Sequence, residues 1–248
     1  HSILSGIVTL ICVILVMPFM DKRRVTSFLG IFWSRGLTFI FRVKVVIDGN
    51  PSEKGVFFVS NHQSYLDIII LYSRFPIIFV SRHDVKKWPV IGLLAMLAGT
   101  IFIDRSKTTK AKKYIKQIVK VVNQNINILI FPEGTTTDGS HLLPFKSSLF
   151  QAVVETGSRV RPVYTEYKII NGNNKPGREL LDKVCWYGEM TFASHLFKFL
   201  TLNKVEVVLH IDEIIECPDN QNQNEARKLL ATQTQQAVEK LKAYAEKS

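Results

Sequence analysis

"GVFFVSNHQSYLDIIILYSRF", Gly55 to Phe75, is the stretch on which the fold turns. Its first part, Gly55 to Asn61, is a short apolar run with aromatic and β-branched residues behind a glycine. That composition predicts a buried strand. The part from Ser64 onward, "SYLDIIILYSRF", reads as a helix, although Ile68 to Ile70 also suit a strand. A buried strand followed at once by a helix is the first half of a parallel-sheet unit.

The same alternation continues outward. "VKVVIDG" (Val43 to Gly49) precedes it as a strand, around a turn at Asn50 and Pro51. "PIIFVS" reads as a strand and "VIGLLAMLAG" as a helix that stops at Gly99. "TIFIDR" is a strand, "RSKTTKAKKYIKQIVKVVNQ" an amphipathic helix, and "NILIFPEG" a buried strand. "SSLFQAVVETG" is a helix, "RVRPVYTEY" and "KVEVVLHID" are strands, and Asn224 to Lys247 form a terminal helix. The expectation is an α/β layered fold with a mostly parallel central sheet flanked by helices. It covers residues 43–248 as one domain, behind an apolar amino-terminal unit over residues 1–42.

The chain has 248 residues and a formal net charge of +11. Between Arg105 and Phe131 there are one Arg, six Lys and no carboxylate. A surface of that sign attracts anionic lipid, nucleic acid or an acidic carrier. Three widely spaced cysteines, Cys12, Cys185 and Cys217, form no metal-binding or redox spacing and read as reduced thiols. "ILSGIVTLICVILVMPFM", Ile3 to Met20, carries no charge and is followed by "DKRR". An uncharged run of that length is near the lower limit for a membrane-spanning helix, and the basic residues after it favour the cytoplasmic side. A second apolar stretch, Phe28 to Phe41, is interrupted by Arg35. One short span and a helical pair lying in the interface are both open.

In sheets of this kind ligands sit at the carboxyl ends of the strands. Asn61-His62, Asp104-Arg105 and Glu133-Gly134 follow three strands, and Arg161 and Pro162 lie in a fourth. Asp67, five residues after His62, is close enough to hold the tautomer of an imidazole in the entry loop. Taken alone, the pair is weak, and Asn61 or Ser64 could equally serve as helix caps. No G-x-S-x-G elbow is present, so the nucleophile expected is a hydroxyl of the substrate, with His62 as general base. "FPEGTTTDG", Phe131 to Gly139, offers glycine turns and the hydroxyls and amides of Thr135, Thr136 and Thr137 to an anion. Glu133 in such a place would either orient a hydroxyl or pair with a base such as Lys146.

These segments resemble the glycerolipid acyltransferases. "NHQSYLD" is similar to their first motif, "GTIFIDR" to the second, "FPEGT" to the third and "VRPVY" to the fourth. All four occur in order over Asn61 to Tyr164, and the resemblance is nearest to the bacterial 1-acylglycerol-3-phosphate acyltransferases. It implies a membrane-associated enzyme on the cytoplasmic face of the inner membrane. It implies transfer of a fatty acyl group from acyl-CoA or acyl carrier protein to the free hydroxyl of a lysolipid. The acceptor implied first is 1-acylglycerol-3-phosphate, giving phosphatidic acid. His62 and Asp67 would be catalytic. Asn61, Arg105, Glu133, Gly134, Thr135, Thr136, Lys146, Arg161 and Pro162 would bind substrate, with no metal, no cofactor beyond the thioester donor and no nucleic acid. One departure stands out: Thr136 occupies a position that is Arg in many members. Threonine lacks the two-pronged phosphate grip of guanidinium, which leaves a lyso-ornithine lipid or a lysophospholipid open as acceptor. A non-catalytic binder of anionic lipid or nucleic acid would rest on net charge alone.

Overall fold

The computed structural model describes residues 22–88, 91–103, 111–219 and 222–248. The apolar run from Ile3 to Met20, and with it half of the expected amino-terminal unit, lies outside the described residues. Among the described residues no helix is long and apolar enough to cross a membrane.

Seven strands form one sheet: β1 (Val43–Asp48), β2 (Phe57–Ser60), β3 (Ile77–Arg82), β4 (Ile101–Ile103), β5 (Asn127–Ile130), β6 (Val160–Ile170) and β7 (Val205–Ile211). The spatial order is β1-β7-β6-β2-β5-β3-β4. Every pair is parallel except β6 with β7. The mostly parallel sheet read from the alternation is therefore present. The neighbourhood of the first two strands differs from the sequence reading. β1 does not pair with β2 across Asn50-Pro51 but lies at the sheet edge along β7, with β7 and β6 between them. No local signal specifies that pairing, because Val43 meets Val205 across the length of the domain.

The helices are α1 (Lys22–Ile40), α2 (Leu66–Tyr72), α3 (Ile91–Leu97), α4 (Ala111–Asn123), α5 (Gln151–Thr156), α6 (Arg178–Leu181), α7 (Phe192–Leu200) and α8 (Gln223–Ala245). Successive residues of β2 divide between the two faces of the sheet, as the two-residue period of a strand requires. Phe58 joins Leu66, Ile70, Leu71 and Phe199 on one face. Phe57 and Val59 join Ile118, Val153, Leu230 and Val238 on the other. Helices thus cover both faces, and β2 and β5 are mostly apolar because neither face meets water, with Ser60 and Asn127 the polar residues at their ends. Burying one such side chain stabilises the fold by about 1.5–3 kcal/mol. α6 and α7 have no counterpart in the sequence reading.

The loop joining β2 to α2 leaves the carboxyl edge of the sheet between β5 and β6. Both neighbours place residues beside it, and that is where the polar side chains converge.

Candidate active site

His62 stands in the β2–α2 loop, and its Nδ1 lies 2.9 Å from Oδ2 of Asp67 in the first turn of α2. Asp67 is fully buried. Its Oδ2 also accepts from the amides of Gln63 (2.7 Å) and Ser64 (2.9 Å), and its Oδ1 accepts from the Tyr167 hydroxyl at 2.7 Å. The expected caps are therefore replaced by a reverse arrangement: neither Asn61 nor Ser64 caps α2, and Asp67 reaches back to the loop amides. An N–H on Nδ1 facing this carboxylate leaves Nε2 as the nitrogen able to accept a proton.

The imidazole lies flat on Phe131, with ring centroids 3.8 Å apart and planes inclined by 10°. Phe131 and Glu133 follow β5. Glu133 is 1% exposed, and its carboxylate oxygens accept from the His62 amide (2.8 Å) and the Leu143 amide (2.9 Å). Burial raises its pKa above the usual carboxylate range, against the opposing pull of those two N–H groups and the His62 ring. Thr137 closes the contact by donating its amide to the His62 carbonyl at 2.9 Å. The FPEGT turn therefore clamps the backbone of His62 from both sides. Glu133 does this by holding backbone amides, and a salt bridge to Lys146 is not the means.

A cleft of about 190 Å³ opens in front of this arrangement, lined in part by His62, Phe131, Gly134, Thr135 and Thr136. Gly134 has φ +74°, and a Cβ there would lie 2.7 Å from Nζ of Lys146. Glycine serves both needs: it takes the left-handed conformation, and it leaves room for the lysine chain to pass over the turn. Beside this cleft is an almost wholly apolar cavity of about 310 Å³, bounded by α1, α2, α3 and α7 residues such as Leu37, Ile69, Ala95 and Leu196. Tyr65, Ile68, Ser81 and Val85 line both cavities.

Of the expected site residues, the structure brings together His62, Asp67, Glu133, Gly134, Thr135, Thr136 and Lys146. Three others stand apart. Asn61 is 1% exposed, and its amide group is spent on the backbone of Thr165, taking the N–H at 2.8 Å and giving to the C=O at 3.1 Å. It extends the β2–β6 ladder where the backbone of β2 turns away, so it supports the loop and does not face the cleft. Arg161 is buried, ion-paired with Glu53 and bonded to the Asp212 carbonyl at 2.7 Å. β6 runs parallel to β2 with Arg161 beside Phe58 and Pro162 beside Val59, below the edge that Ser60 and Val163 mark. Neither lines the described cavities. Arg105 lies outside the described residues. Sequence reasoning missed Tyr167 and the apolar wall from α7. Tyr167 is 100 positions from Asp67 and carried no motif, whereas the spacing of Phe192, Leu196 and Phe199 was a helical signal open to reading.

A sequence profile of the family described as Acyltransferase matches residues 42–166. A lyso-ornithine lipid O-acyltransferase of Rhizobium meliloti is 30% identical over 206 residues, 80% of this chain and 70% of the relative. A lyso-ornithine lipid O-acyltransferase of Pseudomonas aeruginosa is 31% identical, over 90% of this chain and 81% of the relative. A 1-acyl-sn-glycerol-3-phosphate acyltransferase of Neisseria gonorrhoeae is 34% identical over 122 residues, 48% of each chain. The crystal structure of the 1-acyl-sn-glycerophosphate acyltransferase PlsC of Thermotoga maritima superposes with a TM-score of 0.61 at 20% identity, over 92% of this chain and 87% of that one. That likeness concerns the fold, and the sequence matches carry the relationship: the chain belongs to the acyltransferase family.

Proposed function

We propose that this enzyme moves a fatty acyl group from a thioester, acyl-CoA or acyl carrier protein, to the free hydroxyl of a lysolipid at the cytoplasmic face of the inner membrane. The observation that carries the reading is the buried Asp67 carboxylate bonded to His62 at the head of a cleft that adjoins an apolar cavity. Nε2 of His62 takes the proton of the lysolipid hydroxyl while its oxygen attacks the thioester carbonyl carbon. The imidazolium is stabilised by Asp67 and returns the proton to the departing thiolate. Donors on the Thr135–Thr136 turn face the developing oxyanion. The thioester is the activated donor, and no further cofactor enters the sequence of steps.

The apolar cavity suits the acyl chain. Exposed Phe32, Trp33, Phe39 and Ile40 on α1, with Phe197 and Leu200 on α7, give this side of the molecule an apolar skin. Phe39 is 85% and Phe197 72% exposed. Such a skin fits contact with a bilayer, with membrane lipids as partners. The residues before Lys22 would add to the anchor.

For the acceptor, the reading favours a lyso-ornithine lipid. Thr136 brings no positive charge to the cleft, and relatives of that name match over most of their length. 1-Acylglycerol-3-phosphate is the second reading, and the Lys146 ammonium over Gly134 is the observation that favours it. A panel assay separates them: purified protein, lyso-ornithine lipid, 1-acylglycerol-3-phosphate and lysophospholipids, each with acyl-CoA and acyl carrier protein donors. The expected kcat/KM is at least about tenfold higher for lyso-ornithine lipid, the equivalent of one charge-assisted contact. A preference of that size for the phosphate monoester would select the second reading, and transfer to none of the acceptors would refute the reaction.

A further inference from the structure

We infer that Tyr167 is a positioning residue of this reaction: its hydroxyl fixes the rotation of the Asp67 carboxylate and so sets how strongly Asp67 holds the His62 imidazolium. The inference rests on the reading of His62 as the general base.

The four hydrogen bonds to Asp67 are unevenly divided. Among the described residues, Oδ2 receives three N–H donors, from His62, Gln63 and Ser64, and Oδ1 receives only the Tyr167 O–H at 2.7 Å. With Asp67 fully buried, loss of that donor would leave Oδ1 unsatisfied away from solvent. The hydroxyl therefore does two things. It draws negative charge toward Oδ1, away from the imidazole, and it keeps Oδ2 pointed at the three N–H groups. Burial keeps the phenol protonated, since its pKa is raised far above that of free tyrosine, with the Asp67 charge adding to the effect. The side chain reaches Asp67 from β6 at the point where the β6–β7 register shifts between Tyr167 and Ile169, and such shifts can re-aim a side chain.

The other titratable groups facing this pair are few. Glu133 is held by the His62 and Leu143 amides, Cys185 is buried with its thiol pushed up to about 12, Tyr65 borders the cleft, and Lys146 stands beyond Gly134. None of these four is bonded to the Asp67 carboxylate; among the described titratable groups only His62 and Tyr167 are.

Tyr167→Phe keeps the ring and removes the hydroxyl. Without its donor, Oδ1 leaves more charge on the side of the imidazole, which makes the imidazolium more stable. The acid limb of kcat/KM against pH should move up by roughly half a pH unit. The value of kcat/KM near neutrality should fall about tenfold, the low end of the loss seen when an outer hydrogen-bond partner that orients a functional imidazole's surroundings is removed. An NMR titration of the His62 ring in folded wild type and variant should show the same upward movement without reference to activity. An unchanged acid limb with an unchanged ring titration overturns the inference, whether or not turnover or Tm falls, because packing alone would then account for Tyr167. Wild-type turnover in His62→Ala would instead overturn the general-base reading, and the ring titration would still decide on Tyr167.

Discussion

Replacing His62 with Ala should lower kcat/KM for acyl transfer by about a hundredfold to ten-thousandfold, the usual range for loss of a positioned general base. The substitution also removes the ring that lies on Phe131. Yet the clamp on the backbone survives it, because Glu133 and Thr137 hold the amide and carbonyl of residue 62 and not its side chain. The variant should therefore fold with a Tm close to wild type, and purified protein assayed with lysolipid and thioester should still bind both. A fall in turnover together with collapse of the fold would not count in favour of the mechanism, so Tm is measured in the same preparation. Turnover within a factor of a few of wild type would exclude His62 as the base.

Asp67→Asn is expected to produce the second large loss while preserving the geometry. The amide oxygen of Asn can take the place of Oδ2 toward His62, Gln63 and Ser64, and its NH₂ can donate to Tyr167, whose oxygen still has lone pairs to accept. The tautomer of His62 is thereby kept. What disappears is the negative charge beside the imidazolium. At an effective dielectric of about 20, a pair of unit charges about 4 Å apart interacts by about 4 kcal/mol, which corresponds to a rate loss on the order of a thousandfold. The loss should appear in kcat and kcat/KM alike, since the charge acts only once the proton has moved. A loss confined to KM would mean that Asp67 serves binding and not proton transfer.

The parts of this enzyme that were readable in its sequence are those specified locally. The run Phe57–Val59 is apolar on both faces, and it became part of a central strand. His62 and Asp67 were readable because a loop and one helical turn suffice to bring residues five apart together. The roles of Asn61 and Arg161 were not, since motif position says nothing about which atoms are already engaged. Asn61 is bonded to Thr165, 104 residues away, and Arg161 to Glu53, 108 residues away. Glu133 had looked set to orient a hydroxyl or to pair with a base. Its partners are two backbone amides, which no side-chain pattern announces. The edge position of β1 was hidden for the same reason, because parallel partners are joined by long crossovers and the chain between them carries no turn signal.

The central claim is that the substrate's hydroxyl, activated by His62, attacks the thioester directly. Intact-mass analysis of the protein, quenched after incubation with acyl-CoA or acyl carrier protein thioester in the absence of lysolipid, tests it most directly. The account predicts protein of unchanged mass and thiol release only once the lysolipid is added. One equivalent of acyl group bound to the protein, transferred onward when lysolipid follows, would contradict it.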